Sequence, residues 1–274
     1  SSKFGSNNRY APFWSVGLGC NLHNEEFIKK LGWVNTLRLR GSYGYTGRVK
    51  FAAYQAVSTY HYSADYLHYA GVGAVPYAMS NPDLTWQTTK KLNFGLTSSF
   101  FGDRLNVNFD IYNEVTDDML IDVSLPPSSG ASTVKNNFGK QESNGFEFDL
   151  WGKIIRKNGW EWNLSVNGLH SKTTIKNISD ALKRQNKENS VVNTETMPRI
   201  EYREGESPTA IYAVRSAGID PASGEEIFIK QDGTYTYTYD ASDKVVVGDT
   251  NPWMQGSFSS LLTYKQFSLN LTFS

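Results

Sequence analysis

The chain of 274 residues has a single cysteine, four histidines and no net charge, and each scarcity removes a class of function. Cys20 alone can form neither an intrachain disulfide nor a multi-cysteine metal site, and it falls on the apolar face of its own segment, where it reads as a small filler. Lysine plus arginine and aspartate plus glutamate balance at 27 each, so no net field draws the chain to nucleic acid, and no nucleic-acid partner is expected. No stretch approaches the roughly 18 consecutive apolar residues of a transmembrane helix, and the opening SSKFGSNNRY is not a signal peptide. A helical membrane protein is excluded. A membrane barrel is not, because its strands need only about 9–11 residues with every second one apolar.

No serine, histidine and acidic residue fall into a recognisable catalytic setting, so an enzyme is not expected. His61 and His68 lack a supporting acidic cluster, which argues against a metal site. The run GVGAVP lacks the further glycine and the helix of a dinucleotide fingerprint, and no cofactor is expected.

Aromatic residues, by contrast, are plentiful: 16 Tyr, 15 Phe and 7 Trp, a composition that suits strands. They sit in a strict alternation. In LNVNFDIYNEV, Leu105, Val107, Phe109 and Ile111 share one face of a pleated strand, while Asn106, Asn108, Asp110 and Tyr112 share the other. The same period of two recurs in segments starting near Trp14, Leu37, Leu92, Phe146, Trp160, Met254 and Phe267, which predicts roughly eight strands, each with one oily and one wet face. In the segment from Phe146, Phe148, Leu150 and Ile154 are expected on the oily side against Lys153.

FGDR at Phe101, KNG at Lys157 and YKQF at Tyr264 read as tight hairpin turns at one end. HNEEFIKKLGW is expected to add about one helical turn there. The intervening connections, approximately 47–83, 125–144 and 177–251, are far longer and must lie at the opposite end. Short turns at one end and long loops at the other predict an outer-membrane barrel with extracellular loops. Trp33, Phe100, Phe101, Trp160, Tyr264 and Phe267 flank the short connections, where a membrane-interface girdle would lie.

Five segments carry a family resemblance: RYAPFWSVGLGCNLHNEEFIKKLGWVNTLRLRGSYGYTG, NPDLTWQTTKKLNFGL, DDMLIDVSLPPSSGASTVKNNFGKQESNGFEFDL, AGIDPASGEEIF and GDTNPWMQGSFSSLLTYKQFSLNLTFS. In this order they resemble the SusC-like, TonB-dependent outer-membrane transporters of Bacteroidetes. The resemblance implies an all-β, antiparallel transmembrane barrel of about 22 strands with a plugged lumen, of which residues 1–274 would supply about 8–10 strands. The expected partners are the remaining barrel and plug, TonB acting through a segment outside this sequence, outer-membrane lipid and a SusD-like lipoprotein lid. The implied activity is import of an oligosaccharide or peptide across the bacterial outer membrane. The alternative is a secreted β-sandwich that binds carbohydrate, which would bury the oily stripe between two sheets. A passive adhesin or porin on the same barrel is a third reading.

Two groups of residues are candidates for contact with substrate or partner. Tyr54, Tyr60, Tyr62, Asp65, Tyr66 and Tyr69 crowd one long loop, where flat rings with polar tips suit sugars, peptides or the lid, or else simply pack the loop. Arg38, Arg40, Asp110, Glu114, Glu147 and Asp149 fall on wet faces by parity and are expected to face the lumen, gripping the plug, shaping the substrate route or keeping the interior hydrated. GIDPASGEE reads as a tight turn at Asp220–Gly224 rather than a calcium loop, and DGTYTYTYD as a loop hairpin strand with two polar faces.

Overall fold

The computed structural model describes residues 12–48, 59–68, 71–78, 81, 84–124, 133–137, 139–191 and 201–274. The strands in chain order begin with β1 (Trp14–Asn21), β2 (Val34–Arg48), β3 (Thr59–His68), β4 (Gly71–Ala78), β5 (Gln87–Phe100) and β6 (Leu105–Asp117). Next come β7 (Leu120–Ser124), β8 (Thr133–Asn137), β9 (Gly139–Lys157), β10 (Trp160–Ile178), β11 (Ala210–Ala213) and β12 (Arg215–Ile219). The last are β13 (Glu226–Ile229), β14 (Tyr235–Thr236), β15 (Val245–Asp249), β16 (Gln255–Tyr264) and β17 (Phe267–Phe273). Eight of them form one antiparallel meander in the order β1-β2-β5-β6-β9-β10-β16-β17.

Tight turns set the register. The β9–β10 hairpin closes on Asn158 and Gly159, with φ of 55° and 78°, a left-handed pair that asparagine and glycine tolerate. At the β5–β6 turn Gly102 donates its N–H to Asn35 Oδ1 at 2.7 Å, tying the turn to the neighbouring β2. A 3-10 turn at Leu22–Asn24 and the single-turn α1 (Glu26–Lys29) connect β1 to β2. That register puts oily residues opposite one another: Phe109 pairs with Leu96 and Phe148, and Ile111 with Phe94 and Phe146. A bulge on β9 breaks the expected parity. Ile155, not Ile154, stands opposite Trp162, and Lys153 opposite Asn163, so one extra residue is absorbed at Ile154.

The oily face has no second layer among the described residues. Leu18 is 79% exposed, and Val16, Leu39, Phe94, Ile111, Phe258 and Leu269 are exposed as well. A sandwich would have closed over these side chains. Polar groups on this face are satisfied locally, as a hydrocarbon surrounding demands: Trp162 Nε1 donates to Ser260 Oγ at 3.0 Å, and Ser98 Oγ to the Val107 carbonyl at 3.3 Å.

The oily stripe runs obliquely across the sheet. Trp14, its loop-end residue on β1, is in line through Tyr45 with Lys90, whereas Trp160, Tyr264 and Phe267 form a row beyond the β5–β6 turn. The stripe therefore descends by about one residue per strand. With a rise of about 3.4 Å per residue and about 4.8 Å between strands, that slope is about 35°. This is the strand tilt of a membrane barrel, about 35–45°. On β10 the stripe runs from Trp160 to His170, about 34 Å along the strand and about 28 Å in height at that tilt, close to an apolar band about 25 Å tall.

The strands outrun the expected loop boundaries. β9 begins at Gly139, inside the segment expected to be loop up to 144, and β2 and β10 continue to Arg48 and Ile178. Their upper parts carry only isolated apolar residues, such as Ile175 and Ile178, so hydrophobic alternation could not mark them. The connections are themselves structured. The first holds the β3–β4 hairpin, the second the β7–β8 hairpin, and the third α2 (Asp180–Val191) with β11–β15. The buried apolar residues belong to this end: Ile175, Ile178 and Leu182 pack together with Met119 and Tyr202 against them. The sheet itself has no closed core.

Candidate functional site

The six charged residues chosen by parity share the polar face, and the register draws five of them into two rows. Arg38 is in line with Thr97, Asn108 and Asp149, while Arg40 is in line with Gly95, Asp110 and Glu147. Arg40 and Asp110 stand on strands separated by β5, yet Arg40 Nη2 donates to Asp110 Oδ2 at 2.6 Å. Gly95 makes this possible. A β-carbon there would collide with Arg40 Nε and with Asp110 Oδ1, so the missing side chain opens a gap that the ion pair bridges. Asn93 Nδ2 adds a hydrogen bond to Asp110 Oδ1 at 3.2 Å.

Two rows toward the loops, Lys91 Nζ pairs with Glu114 at 2.5 Å and lies over the Tyr112 ring. Glu147 and Asp149 are exposed, and among the described residues no ion pair reaches either one. Together with Asn108 and Asn167 they line a concavity of about 1040 Å³. Hydroxyls and amides knit the rest of this face, including Asn167 Nδ2 to Ser257 Oγ at 2.8 Å and Ser259 with Thr272 at 2.9 Å. The face is a polar wall with the exposed carboxylates of Glu147 and Asp149 at its middle. Nothing on it resembles a nucleophile with its base.

The aromatic residues gather at the turn end. Trp160 stacks on Tyr264 at 4.3 Å, and Trp33 lies 5.5 Å from Phe100 and 5.7 Å from Phe101, while Phe267 stands opposite Tyr264 on the neighbouring strand. A second aromatic set, of which the alternation counted Trp14 and Tyr43 only as oily, occupies the loop end: Trp14 with Tyr43 at 5.5 Å and Phe13 with Trp86 at 5.3 Å.

In the tyrosine-rich loop, Tyr60 and Tyr62 are exposed on β3. Tyr54 and Tyr69 lie outside the described residues, as do the side chains of Asp65 and Tyr66. Among the described residues no group of three or more His, Cys, Asp or Glu could hold a metal ion. Asp220–Gly224 is a tight turn, with Gly224 N–H donating to the Asp220 carbonyl at 2.8 Å. The N–H of Ala222 and the Tyr237 hydroxyl both donate to the Asp220 carboxylate, which holds it below its usual range. Only Tyr235 and Thr236 of the Thr-Tyr alternation form strand, because Tyr237 is turned to Asp220 instead.

Sequence reasoning missed one feature of the long third connection. Glu201 is 2% exposed, bonded to Arg203 at 2.8 Å and facing buried Lys244 at 3.6 Å, with the Arg203 guanidinium 4.5 Å above the Tyr212 ring. Burial also pushes the Tyr212 hydroxyl pKa up. Glu201 and Lys244 are 43 positions apart, and no spacing rule announces such a pair.

A sequence model of the family described as TonB dependent receptor-like, beta-barrel matches residues 1–273. TonB-dependent receptor P3 of Formosa agariphila is 29% identical over 293 residues, covering 100% of this chain and 29% of that protein. TonB-dependent receptor SusC of Bacteroides thetaiotaomicron is 30% identical over 174 residues, covering 61% of this chain and 17% of SusC. The solved structure of the RagAB peptide transporter superposes with a TM-score of 0.83 at 28% identity, over 99% of this chain and 30% of that one. The chain thus spans less than a third of the length of these relatives. With its outward oily stripe, tilted meander and turn asymmetry, the chain belongs to the TonB-dependent receptor-like β-barrel family of the bacterial outer membrane.

Proposed function

We propose that this chain supplies part of the wall of a TonB-dependent importer that takes an oligosaccharide or a peptide across the outer membrane with a SusD-like surface lipoprotein. The observation that carries the reading is the division of one sheet into two solvents. An exposed apolar stripe at a membrane tilt backs a hydrated, charged face of the kind a lumen requires. On this reading Arg38, Arg40, Asp110, Glu114, Glu147 and Asp149 face the lumen and its plug. Trp33, Phe100, Trp160, Tyr264 and Phe267 form the periplasmic interface belt. The long connections are extracellular, and Tyr60 and Tyr62 are poised there for substrate or lid. Similarity to the RagAB peptide transporter supports the peptide class, and the sequence resemblance to SusC-like transporters supports the oligosaccharide class and the lipoprotein partner.

The test is uptake of labelled oligosaccharides and labelled peptides by cells carrying the full-length protein, with and without the TonB energising complex. Uptake of one class that vanishes without TonB is the expected result. Uptake that persists without TonB would point to a passive pore, and no uptake of either class would overturn the importer reading.

A further inference from the structure

Directly above the oily band, the outer face of the sheet changes character within one row. The row Phe94, Ile111, Phe146 and His170 is apolar or aromatic, and the next row toward the loops is Leu92, Asn113, Asn144 and Lys172. Between them lies a groove of about 430 Å³ with Leu92, Phe94, Ile111 and Phe146 as its walls and His170 and Lys172 at its upper rim. That volume is within the roughly 300–1,000 Å³ of small-molecule clefts.

Charge accumulates from this level toward the loops. On the outward positions of β5, β6, β9 and β10 above the band stand Lys90, Lys140, Lys172 and Lys176 against Asp117 and Glu142. Lys90 and Lys140 share Asp117, at 3.6 and 3.5 Å, and Lys176 takes Glu142 at 2.9 Å. Glu142 is further occupied by Asn113 Nδ2 at 2.8 Å. Two positive charges are left over, and among the described residues no ion pair reaches Lys172. His170 is braced between Phe146 and Trp253, with Nδ1 bonded to the Trp253 carbonyl.

We propose that this groove binds one anionic, phosphate-bearing lipid of the outer leaflet, an acyl chain lying against Phe94, Ile111 and Phe146 and a headgroup phosphate accepting hydrogen bonds from Lys172. An oily channel capped by an unpaired ammonium at the height of the headgroups is complementary to such a lipid in shape and in charge. A zwitterionic lipid would leave the surplus positive charge of the rim uncompensated. The inference rests on the loop end facing the outside, as proposed above, and not on the identity of any imported substrate.

The test is native mass spectrometry of the full-length protein in detergent, titrated with bisphosphorylated lipid A, with its dephosphorylated form and with phosphatidylethanolamine. One tightly held bisphosphorylated lipid is expected, with Lys172→Ala weakening it about tenfold, as loss of a charge-assisted hydrogen bond does, and Lys172→Arg retaining it. Ile111→Trp, which fills the groove and leaves the charge, should weaken it too. Equal binding of the dephosphorylated form, or no change in Lys172→Ala, would overturn the site and leave only annular lipid. Unchanged heat-modifiable gel migration of the variants separates loss of the site from loss of the barrel. Labelling of a Ser242→Cys variant in intact cells tests the orientation separately.

Discussion

Leu105 and Phe109 lie on the same face of β6 and are almost equally exposed, 37% and 38%. If burial within protein set the cost of placing a charge there, lysine would be equally unwelcome at both. If lipid sets it, depth decides. Leu105 follows directly on the turn, and Phe109 is four residues further on, about 14 Å along the strand and about 10 Å deeper at a tilt of about 40°. Lysine on the lipid face of a barrel costs about 2–4 kcal/mol near the midplane and about 0–1 at the interface. Phe109→Lys should therefore shift the folding equilibrium by about 30- to 900-fold and Leu105→Lys by less than about sixfold. Truncation at Phe109 also loses its ring contact with Phe146, 6.2 Å away, so Phe109→Ala is the reference for that position and Leu105→Ala for the other. Asn108→Lys, on the opposite face, should be close to neutral. The assay is urea titration of full-length protein folded into phospholipid vesicles, read by heat-modifiable migration. Equal penalties at 105 and 109, or a penalty at 108 as large as at 109, would refute the assignment of the oily stripe to lipid.

Gly95→Ala should cost about 0.2–1 kcal/mol by pushing apart the partly exposed Arg40–Asp110 pair, and should be neutral in a background carrying both Arg40→Ala and Asp110→Ala, which a mutant cycle in the same titration reads. Glu201→Gln leaves the Lys244 ammonium buried without its anion, a loss of about 3–5 kcal/mol that should speed limited proteolysis within residues 201–251. Unchanged cleavage there would show that the buried charges do not hold the connection together. Asp220 titrates below its ordinary 3.8 because the Ala222 amide and the Tyr237 hydroxyl favour the carboxylate, so its contribution is present above that pH and lost as pH falls through the folded value. The protection factor of the Ala222 amide should be undiminished at about pH 5 and fall only once the pH drops below 3.8, with Asp220→Asn weakly protected throughout.

The parts of this molecule legible in its sequence are those where one physical constraint acts on every second residue. Lipid on one side and water on the other impose the alternation, so the eight long strands, their short turns and the faces of Arg40, Asp110 and Glu147 follow from parity alone. Where that constraint ends, so does the signal. Above the band β9 is polar on both faces and the apolar residues of β10, Ile175 and Ile178, keep no period of two, and pairing there is specified by Ser143 with Thr173 and by Lys176 with Glu142, contacts whose partners no periodicity links. The bulge at Ile154 escaped because three consecutive positions, Lys153 to Ile155, fit either parity until Trp162 fixes the partner.

The ion pair over Gly95 was illegible for a different reason: its partners are 70 positions apart and the residue that permits it is a glycine, whose contribution is an absence. Two registers must be known before Arg40, Gly95 and Asp110 can be placed in one row. This locates the specificity of such a barrel wall. Alternation requires only that a strand be oily on one side, and many sequences satisfy it. The choice of neighbour is made by small residues that open gaps and by charges that bridge them, as at Gly95, and by rings that fill them, as Phe148 does over Gly168. A wall built this way can keep its lipid face nearly uniform while its inner face varies, because substitutions on the two sides of a strand alternate and do not touch.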